Sequence, residues 1–184
     1  MPACEDFSME IKTAKPEDWP RIIEIYNQAV TDGRFTADTR PVTLEERQEW
    51  LQQHTGRYPI RIALNDGTII GWCGLSPWRP GRAALAGTAE ISYYVARGWR
   101  GKGVADALMK DVIDLSLANG FQNLLAILIA VNNASLNLLR KHGFSRWGEL
   151  PGIVNFGPMV CSQYIYGKKL FSPSGSPSRL APHL

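Results

Sequence analysis

The chain has 184 residues, of which 45% are hydrophobic and 20% charged, and this length and composition predict one compact domain with a single core. A net charge of +3 without a sustained block of Lys and Arg argues against a nucleic-acid-binding protein. The chain has no apolar run of about eighteen residues and its acidic start differs from a signal peptide, so we expect a cytoplasmic protein with no membrane partner.

The first predicted elements are a strand at residues 9–13 and helices at 16–30 and 43–54. The second helix has a start signal, because Thr43 can cap it while Glu46, three residues later, completes a capping box.

Two strands at residues 59–64 and 69–75 are predicted to form an antiparallel hairpin. The Asn-Asp-Gly sequence at 65–67 tolerates the positive φ angles that a tight hairpin turn requires. A loop at 76–87 then leads into an alternating strand at 88–96.

The second half of the chain begins with a glycine-rich turn at residues 97–103 and an amphipathic helix at 104–118. This helix ends at residues 119–120, where Asn-Gly predicts a left-handed C-terminal cap. A continuous apolar run at 124–131 predicts a strand buried on both faces, and a short helix at 133–142 follows it.

Two further strands at residues 144–150 and 159–170 complete the predicted elements. We therefore predict one α/β domain over residues 9–170, after a flexible N-terminus at 1–8. Ser and Pro dominate residues 171–184, which we expect to form a disordered tail.

The three cysteines, Cys4, Cys73 and Cys161, are widely spaced and match neither a disulfide framework nor a CxxC metal site. Cys73 lies inside an apolar strand, where core packing explains it better than catalysis does. His54 and His183 have no partner at metal-ligand spacing, and we assign them no role. No Cys or Ser has a nucleophile setting such as GxSxG, so we expect neither a metal nor a covalent enzyme intermediate.

The chemistry concentrates at residues 97–105, Arg-Gly-Trp-Arg-Gly-Lys-Gly-Val-Ala, between a strand and a helix. The glycines let the backbone approach a ligand closely, and the free N–H groups of the new helix attract an anion. Arg97, Arg100 and Lys102 add positive charge at the same place. The segment predicts a phosphate or pyrophosphate site.

Two other phosphate-binding patterns fit this segment less well. A P-loop requires GxxxxGK followed by Ser or Thr, whereas Lys102 precedes Gly103. A dinucleotide-binding turn would have a third glycine at Asp106 and an acidic residue after the next strand, which ends in Val131 and Asn132. A turn with a solvated basic face is the remaining alternative.

The segment 100–105, Arg-Gly-Lys-Gly-Val-Ala, resembles the Arg/Gln-x-x-Gly-x-Gly/Ala motif of GNAT acetyltransferases, whose loop holds the pyrophosphate of coenzyme A. Residues 132–144, from Asn-Asn-Ala-Ser to His-Gly-Phe, resemble the second helix on the coenzyme side of that superfamily. Phosphinothricin acetyltransferases, and enzymes that acetylate methionine sulfone or sulfoximine, are similar over about residues 11–170. That similarity includes residues 38–41, 57–59, 76–79 and 90–95.

The resemblance implies a GNAT fold with a mixed sheet of about seven strands and about four flanking helices. It implies acetyl-CoA as donor, a small amine as acceptor, and a homodimer that pairs through the C-terminal strands. It also implies a bulge in the strand at 88–96 that frees an N–H for the thioester carbonyl. The residues implied for acetyl-CoA binding are the main chain of Tyr93, Tyr94 and Val95, then Arg100, Gly101, Lys102, Gly103, Val104, Ala105 and Asp106, and finally Asn132 and Ser135.

Glu90 is the predicted general base, because an amine attacks a thioester only after losing its ammonium proton. It lies on the strand that leads into the phosphate loop and matches the proposed catalytic Glu of the phosphinothricin group. Alternation then places Ser92 and Tyr94 on its side of the sheet. The alternative is an exposed or ion-paired Glu.

Other site predictions depend on the resemblance. Many family members have a Tyr or His that acts as the acid for the departing thiolate. This chain has Leu139 at that position, and we interpret the nearby His142 as a surface residue. Asn132 and Ser135 can instead cap a helix, which is compatible with binding. The predicted substrate residues are Phe35, Trp78, Arg79 and Arg82.

Two other functions stay open at this point. One is acetylation of a protein N-terminus or lysine. The other is a sensor that binds acyl-CoA without turnover, for which Leu139 is the only indication and against which Glu90 argues.

Overall fold

The computed structural model describes residues 8–170 and contains one seven-stranded sheet. Its strands are β1 (Glu10–Thr13), β2 (Ile60–Asn65), β3 (Thr68–Pro77), β4 (Thr88–Val95), β5 (Asn123–Ile129), β6 (Ser145–Asn155) and β7 (Val160–Lys169). The order across the sheet is β1-β2-β3-β4-β5-β7-β6, and β4 and β5 are the one parallel pair within this sheet. The predicted tail at 171–184 and most of the predicted flexible N-terminus lie outside the described residues.

Four α-helices cover the two faces of the sheet within residues 8–170. They are α1 (Trp19–Asp32), α2 (Leu44–Gln52), α3 (Val104–Ala118) and α4 (Asn133–Lys141). Buried side chains of α1 and α2 pack in one core cluster, and those of α3 and α4 pack in another. The predicted α/β fold with a mixed sheet is confirmed.

Local sequence signals account for several boundaries. Thr43 Oγ1 accepts from the Glu46 N–H at 3.2 Å and the Glu46 carboxylate accepts from the Thr43 N–H at 2.9 Å, which is the predicted capping box. The β2–β3 turn has φ angles of 47° at Asp66 and 75° at Gly67, as a tight hairpin requires. The helix predicted at 104–118 has those bounds.

Two predicted elements differ most from the structure. The helix predicted at 16–30 begins as a 3-10 turn, Pro16–Asp18, and α1 continues to Asp32 before Gly33 ends it at φ 68°. The strand predicted at 144–150 continues to Asn155. Its pairing with β7 is interrupted between Leu150 and Val154 and then resumes, so the strand extends beyond the interruption.

Helix α3 lies close to the sheet at its N-terminal end. A Cβ on Gly71 of β3 would lie 3.0 Å from Val104 Cγ1, so the glycine permits this approach. Farther along, the Arg61 guanidinium donates to both carboxylate oxygens of Asp111 at 2.7 and 3.0 Å. Because Gly71 pairs with Val95, the first of these contacts places the start of α3 beside the end of β4.

The predicted core position of Cys73 is confirmed, since it is fully buried and burial raises the pKa of its thiol. Within residues 8–170, no helix is both long and apolar enough to cross a membrane. In the same part of the chain, no three His, Cys, Asp or Glu side chains converge as metal ligands would.

Candidate active site

The main cleft opens where β4 and β5 separate. The two strands pair from Thr88 opposite Asn123 to Ile91 opposite Ala126. Beyond that point β4 pairs only with β3, and β5 pairs only with β7. The gap between them is a cavity of about 520 Å³, closed at its sides by α3, α4 and the loop before α3.

Main-chain groups of alternate β4 residues face this cleft. The Ala96 N–H donates to the Ile70 carbonyl at 2.9 Å, so the main chain of Ala96 hydrogen-bonds toward β3. Because this direction alternates along a strand, the main chain of Tyr94, two residues earlier, also faces β3. The N–H groups of Tyr93 and Val95 therefore point into the gap. Because β4 pairs with β3 without a register shift, the predicted bulge was wrong. Tyr94 lines the cavity, and its predicted main-chain contact with acetyl-CoA stays a prediction.

The predicted phosphate loop lies at one end of the cleft. Gly101 and Gly103 have φ angles of 76° and 82°, in the left-handed region that favours glycine. The turn therefore delivers the chain into the first turn of α3 with its N–H groups directed at the cavity. Of the predicted loop residues, the cavity is lined by Arg100, Gly101, Gly103, Val104, Ala105 and Asp106.

The basic side chains of this loop already have partners. Asp32 at the end of α1 accepts from the Arg97 guanidinium at 2.5 Å and from the Arg100 guanidinium at 2.5 Å. Lys102 Nζ lies 4.8 Å from the centre of the Trp99 ring and Lys102 does not line the cavity. Sequence reasoning missed Asp32, because 65 residues separate it from Arg97.

We expect Asp32→Asn to lower the free energy of unfolding by about 0.5–1 kcal/mol at neutral pH, as for other partly exposed ion pairs. Hydrogen bonds from Arg97 and then Arg100 hold the pKa of Asp32 below its usual range. The stabilisation is therefore present above the pKa of an unfolded Asp, about 3.9, and is lost as the pH falls through the lower folded value. Urea unfolding across this range measures it, with Asp114→Asn as the exposed control.

Glu90 lies on the face of β4 that carries α1 and α2. Its side chain is half-buried, and burial raises the pKa of its carboxyl group. Among residues 8–170 no side chain or main-chain group forms a hydrogen bond or ion pair with this carboxylate. Its half-buried side chain excludes the exposed alternative, and no cation pairs with it among residues 8–170, so the ion-paired alternative does not describe Glu90 either.

A polar network lies next to Glu90 under the segment that joins α1 to α2. The Tyr26 hydroxyl contacts Thr36 Oγ1 at 2.7 Å and donates to Asp38, which also accepts from Arg47. Tyr94 hydrogen-bonds Thr36, and burial raises the pKa of Tyr94 to about 12. The network holds this segment over the sheet, and the sequence did not reveal it.

Helix α4 forms the opposite wall of the cleft. Asn132 Oδ1 accepts from the Ser135 N–H at 3.1 Å, so Asn132 caps the helix while both residues line the cavity. The Ser135 side chain also hydrogen-bonds the Tyr93 phenol, whose pKa is raised by burial. Leu139 is fully buried and offers no acid.

The interpretation of His142 as a surface residue was wrong. Its side chain is 15% exposed and Nε2 lies 2.9 Å from Asp106 Oδ1. Lys141 Nζ contacts the same oxygen at 2.6 Å. Asp106 therefore links the first turn of α3 to the end of α4 across the cleft. His142 is not a surface residue because its ring points from the end of α4 toward α3.

The predicted substrate residues fall into two groups. Phe35 lines the cavity, and the Arg100 guanidinium lies 5.8 Å from its ring centre. Trp78, Arg79 and Arg82 lie in the β3–β4 loop, at the other end of β4 from the phosphate loop, and do not line the cavity. Arg79 packs on Trp78, with 5.7 Å from guanidinium to ring centre.

Comparisons with known proteins agree with this geometry. A sequence model of the Acetyltransferase (GNAT) family matches residues 19–144. The L-methionine sulfoximine/L-methionine sulfone acetyltransferase of Pseudomonas aeruginosa is 34% identical over 79% of this chain and 86% of that protein. The phosphinothricin N-acetyltransferase of Streptomyces coelicolor is 31% identical over 76% of this chain and 84% of that protein.

A solved structure has the same fold. It is a GNAT superfamily phosphinothricin acetyltransferase from Sinorhizobium meliloti in complex with AcCoA, with a TM-score of 0.83 and 26% identity, covering 93% of this chain and 94% of that chain. The fold, the cleft and these similarities define an acyl-group transferase. The chain belongs to the GNAT acetyltransferase family and is an N-acetyltransferase, as the resemblance implied.

Proposed function

We propose that the protein transfers the acetyl group of acetyl-CoA to the amine of a small amino-acid-like acceptor of the phosphinothricin or methionine sulfoximine type. The observation that carries this proposal is the half-buried carboxylate of Glu90, which has no hydrogen-bond or ion-pair partner among residues 8–170. Glu90 does not itself line the cleft, but it lies two residues before Ser92, which does. The names of the relatives supply the acceptor class. Because acetyl-CoA is an intracellular metabolite, we also propose a cytoplasmic location.

The residues of the cleft fit an elongated acyl thioester with a phosphate-bearing end. The positive φ angles at Gly101 and Gly103 expose N–H groups of the loop and of the first turn of α3 to an anion. The unpaired edge of β4 offers the N–H groups of Tyr93 and Val95 to an extended chain. Bound there, acetyl-CoA supplies the activated acetyl group as a thioester.

The chain's own residues then perform a direct transfer. Glu90 accepts a proton from the ammonium group of the acceptor, leaving a neutral amine whose nitrogen bonds to the acetyl carbon. An N–H group on the unpaired edge of β4, that of Tyr93 or Val95, donates to the carbonyl oxygen as negative charge develops on it. The carbon–sulfur bond breaks, and the extra proton on the new amide nitrogen passes to the departing thiolate or to water. No side-chain acid is needed for this departure, since a free thiol has a pKa of about 8.5.

Phe35 and the polar network of Tyr26, Thr36, Asp38 and Tyr94 form the proposed acceptor end of the site. They lie on the Glu90 side of β4, next to the Arg100 end of the cleft. Arg79 and Arg82 stay proposed partners for a substrate carboxylate or phosphinate, because the β3–β4 loop that carries them begins next to Ser76, opposite Glu90 in the sheet.

The test is free-thiol release from acetyl-CoA with the purified full-length chain. The acceptor panel contains methionine sulfone, methionine sulfoximine, phosphinothricin, ordinary amino acids, polyamines and a peptide with a free N-terminus and a lysine. We expect turnover with one or more of the amino-acid analogues. Turnover of the peptide alone would establish a protein acceptor, and coenzyme A binding without any turnover would establish a sensor; either result contradicts the proposal.

We also propose a homodimer that pairs through the β6–β7 hairpin. Strand β6 is at the edge of the sheet, and four large apolar side chains on the hairpin are exposed. They are Trp147 (46%), Leu150 (39%), Ile153 (57%) and Val160 (59%). An apolar patch on an open strand edge favours pairing with another chain.

The double variant Ile153→Asp/Val160→Asp is expected to be monomeric, because two-fold pairing would bring the new charges together. Sedimentation equilibrium of the variant and the parent protein measures this. Lys12→Asp changes charge at the opposite edge of the sheet and is expected to leave the dimer intact. A monomeric parent protein would refute the interface.

A further inference from the structure

His54 and Ser76 lie beside Glu90 on the same face of the sheet. Ser76 is directly opposite Glu90 in the β3–β4 pair, and the Cβ atoms of opposite residues in such a pair are about 4.5–5.5 Å apart. His54 lies over Gly74 on this face, where a Cβ on the glycine would be 3.3 Å from Nε2. His54 Nε2 is 3.3 Å from Ser76 Oγ.

The geometry determines which atom donates in the His54–Ser76 hydrogen bond. His54 Nδ1 lies 2.8 Å from the Trp50 carbonyl oxygen, which can only accept, so Nδ1 carries a hydrogen. Burial lowers the pKa of His54, which keeps the ring neutral near neutral pH. Nε2 is then unprotonated and accepts the hydroxyl proton of Ser76. The Trp50 ring, 4.2 Å away between centres, holds the imidazole in place.

We propose that His54 is a positioning residue that acts through Ser76 to favour the protonated form of Glu90. A serine hydroxyl has a single hydrogen, and His54 accepts it, so the Ser76 oxygen can offer only lone pairs to the opposite residue, Glu90. Ser76 therefore cannot donate to the ionised Glu90 carboxylate, but it can accept from the protonated carboxyl group. This arrangement makes Glu90 a better proton acceptor; its catalytic meaning rests on the proposed function.

Other titratable and charged groups lie on this face of the sheet. They are Tyr26, Asp38, Arg47, His54 and Tyr94. Burial raises the pKa of both tyrosines, so their phenols stay neutral. Asp38 and Arg47 form an ion pair whose charges cancel.

The decisive measurement is the pKa of the Glu90 carboxyl group in the full-length protein, followed by carbon-13 NMR and assigned with Glu90→Gln. We expect His54→Leu to lower this pKa by about half a pH unit or more, because the released Ser76 hydroxyl can donate to the carboxylate. His54→Gln retains an amide oxygen that can accept from Ser76 and is expected to keep the parent value.

A variant cycle separates this effect from a general change in packing. In a Ser76→Ala background the substitution His54→Leu is expected to shift the Glu90 pKa no further, since no hydroxyl remains to be turned. An unchanged pKa in His54→Leu, or an equal shift with and without Ser76, overturns the proposal. If His54→Leu does not fold, Ser76→Thr must keep the parent value while Ser76→Ala lowers it, and equal values overturn the proposal.

The pH dependence of kcat/KM distinguishes this inference from the proposed function. If Glu90 is the base, the acidic limb of the profile moves with the pKa measured by NMR. A shift seen by NMR with no matching change in the kinetic profile supports the His54–Ser76 inference and contradicts the role of Glu90 as base.

Discussion

Glu90→Gln is expected to lower kcat/KM for acetyl transfer by about 10²–10⁴-fold near neutral pH, the usual contribution of a general base. The amide cannot accept the ammonium proton, so only the fraction of acceptor that is already neutral reacts. Activity of the variant should therefore rise with pH as that fraction grows. Steady-state kinetics over a range of pH, with the acceptor found in the panel, measure both effects.

The same variant should be more stable than the parent protein at neutral pH. Burial raises the pKa of Glu90 in the folded state, so the folded carboxyl holds its proton more tightly than the unfolded one. Its contribution to stability is therefore greatest at low pH and falls as the pH rises from the unfolded to the folded pKa. Above that range the buried charge destabilises the fold, and Gln removes it. Thermal unfolding above and below this range measures the difference.

A loss of activity together with a gain in stability cannot come from unfolding. The matched control is Glu17→Gln, which removes an exposed carboxylate from the turn before α1 and should leave kcat/KM unchanged. Full activity of Glu90→Gln near neutral pH would show that water or another group removes the proton.

Gly103→Val is expected to raise the KM for acetyl-CoA tenfold or more. Gly103 has a φ angle of 82° directly before α3, and an L-residue in the left-handed region costs about 1–2 kcal/mol, more for a β-branched side chain. The loop can relieve this strain only by changing the direction of the N–H groups that face the cleft. Since a tenfold change corresponds to about 1.4 kcal/mol, the strain is sufficient.

Binding and turnover separate the causes in this variant. Calorimetric titration with coenzyme A should show the loss of affinity, while kcat at saturating acetyl-CoA stays near the parent value because Glu90 is untouched. Gly98→Ala is the control, since Gly98 does not have a positive φ and a Cβ there meets no atom within 4 Å. Equal affinities in the Gly103→Val and parent proteins would exclude the loop from the binding site.

Signals confined to a few neighbouring residues were sufficient for much of the fold and part of the site. The capping box at Thr43 and Glu46 and the hairpin turn at Asp66 and Gly67 depend on contacts within four residues, and both are present. The strand, glycine-rich turn and helix around Gly103 also follow from local conformational preferences. Local sequence therefore determined the conformation of the glycine-rich loop and the side of β4 that carries Glu90.

Contacts between distant segments decided the rest. The separation of β4 from β5 beyond the pair Ile91 and Ala126, and not a bulge, frees the N–H groups of Tyr93 and Val95. Asp32 meets the arginines of the loop only when α1 packs beside it. His54 likewise reaches Ser76 only when α2 lies on the sheet. Such partners are tens of residues apart, so packing alone brings them together.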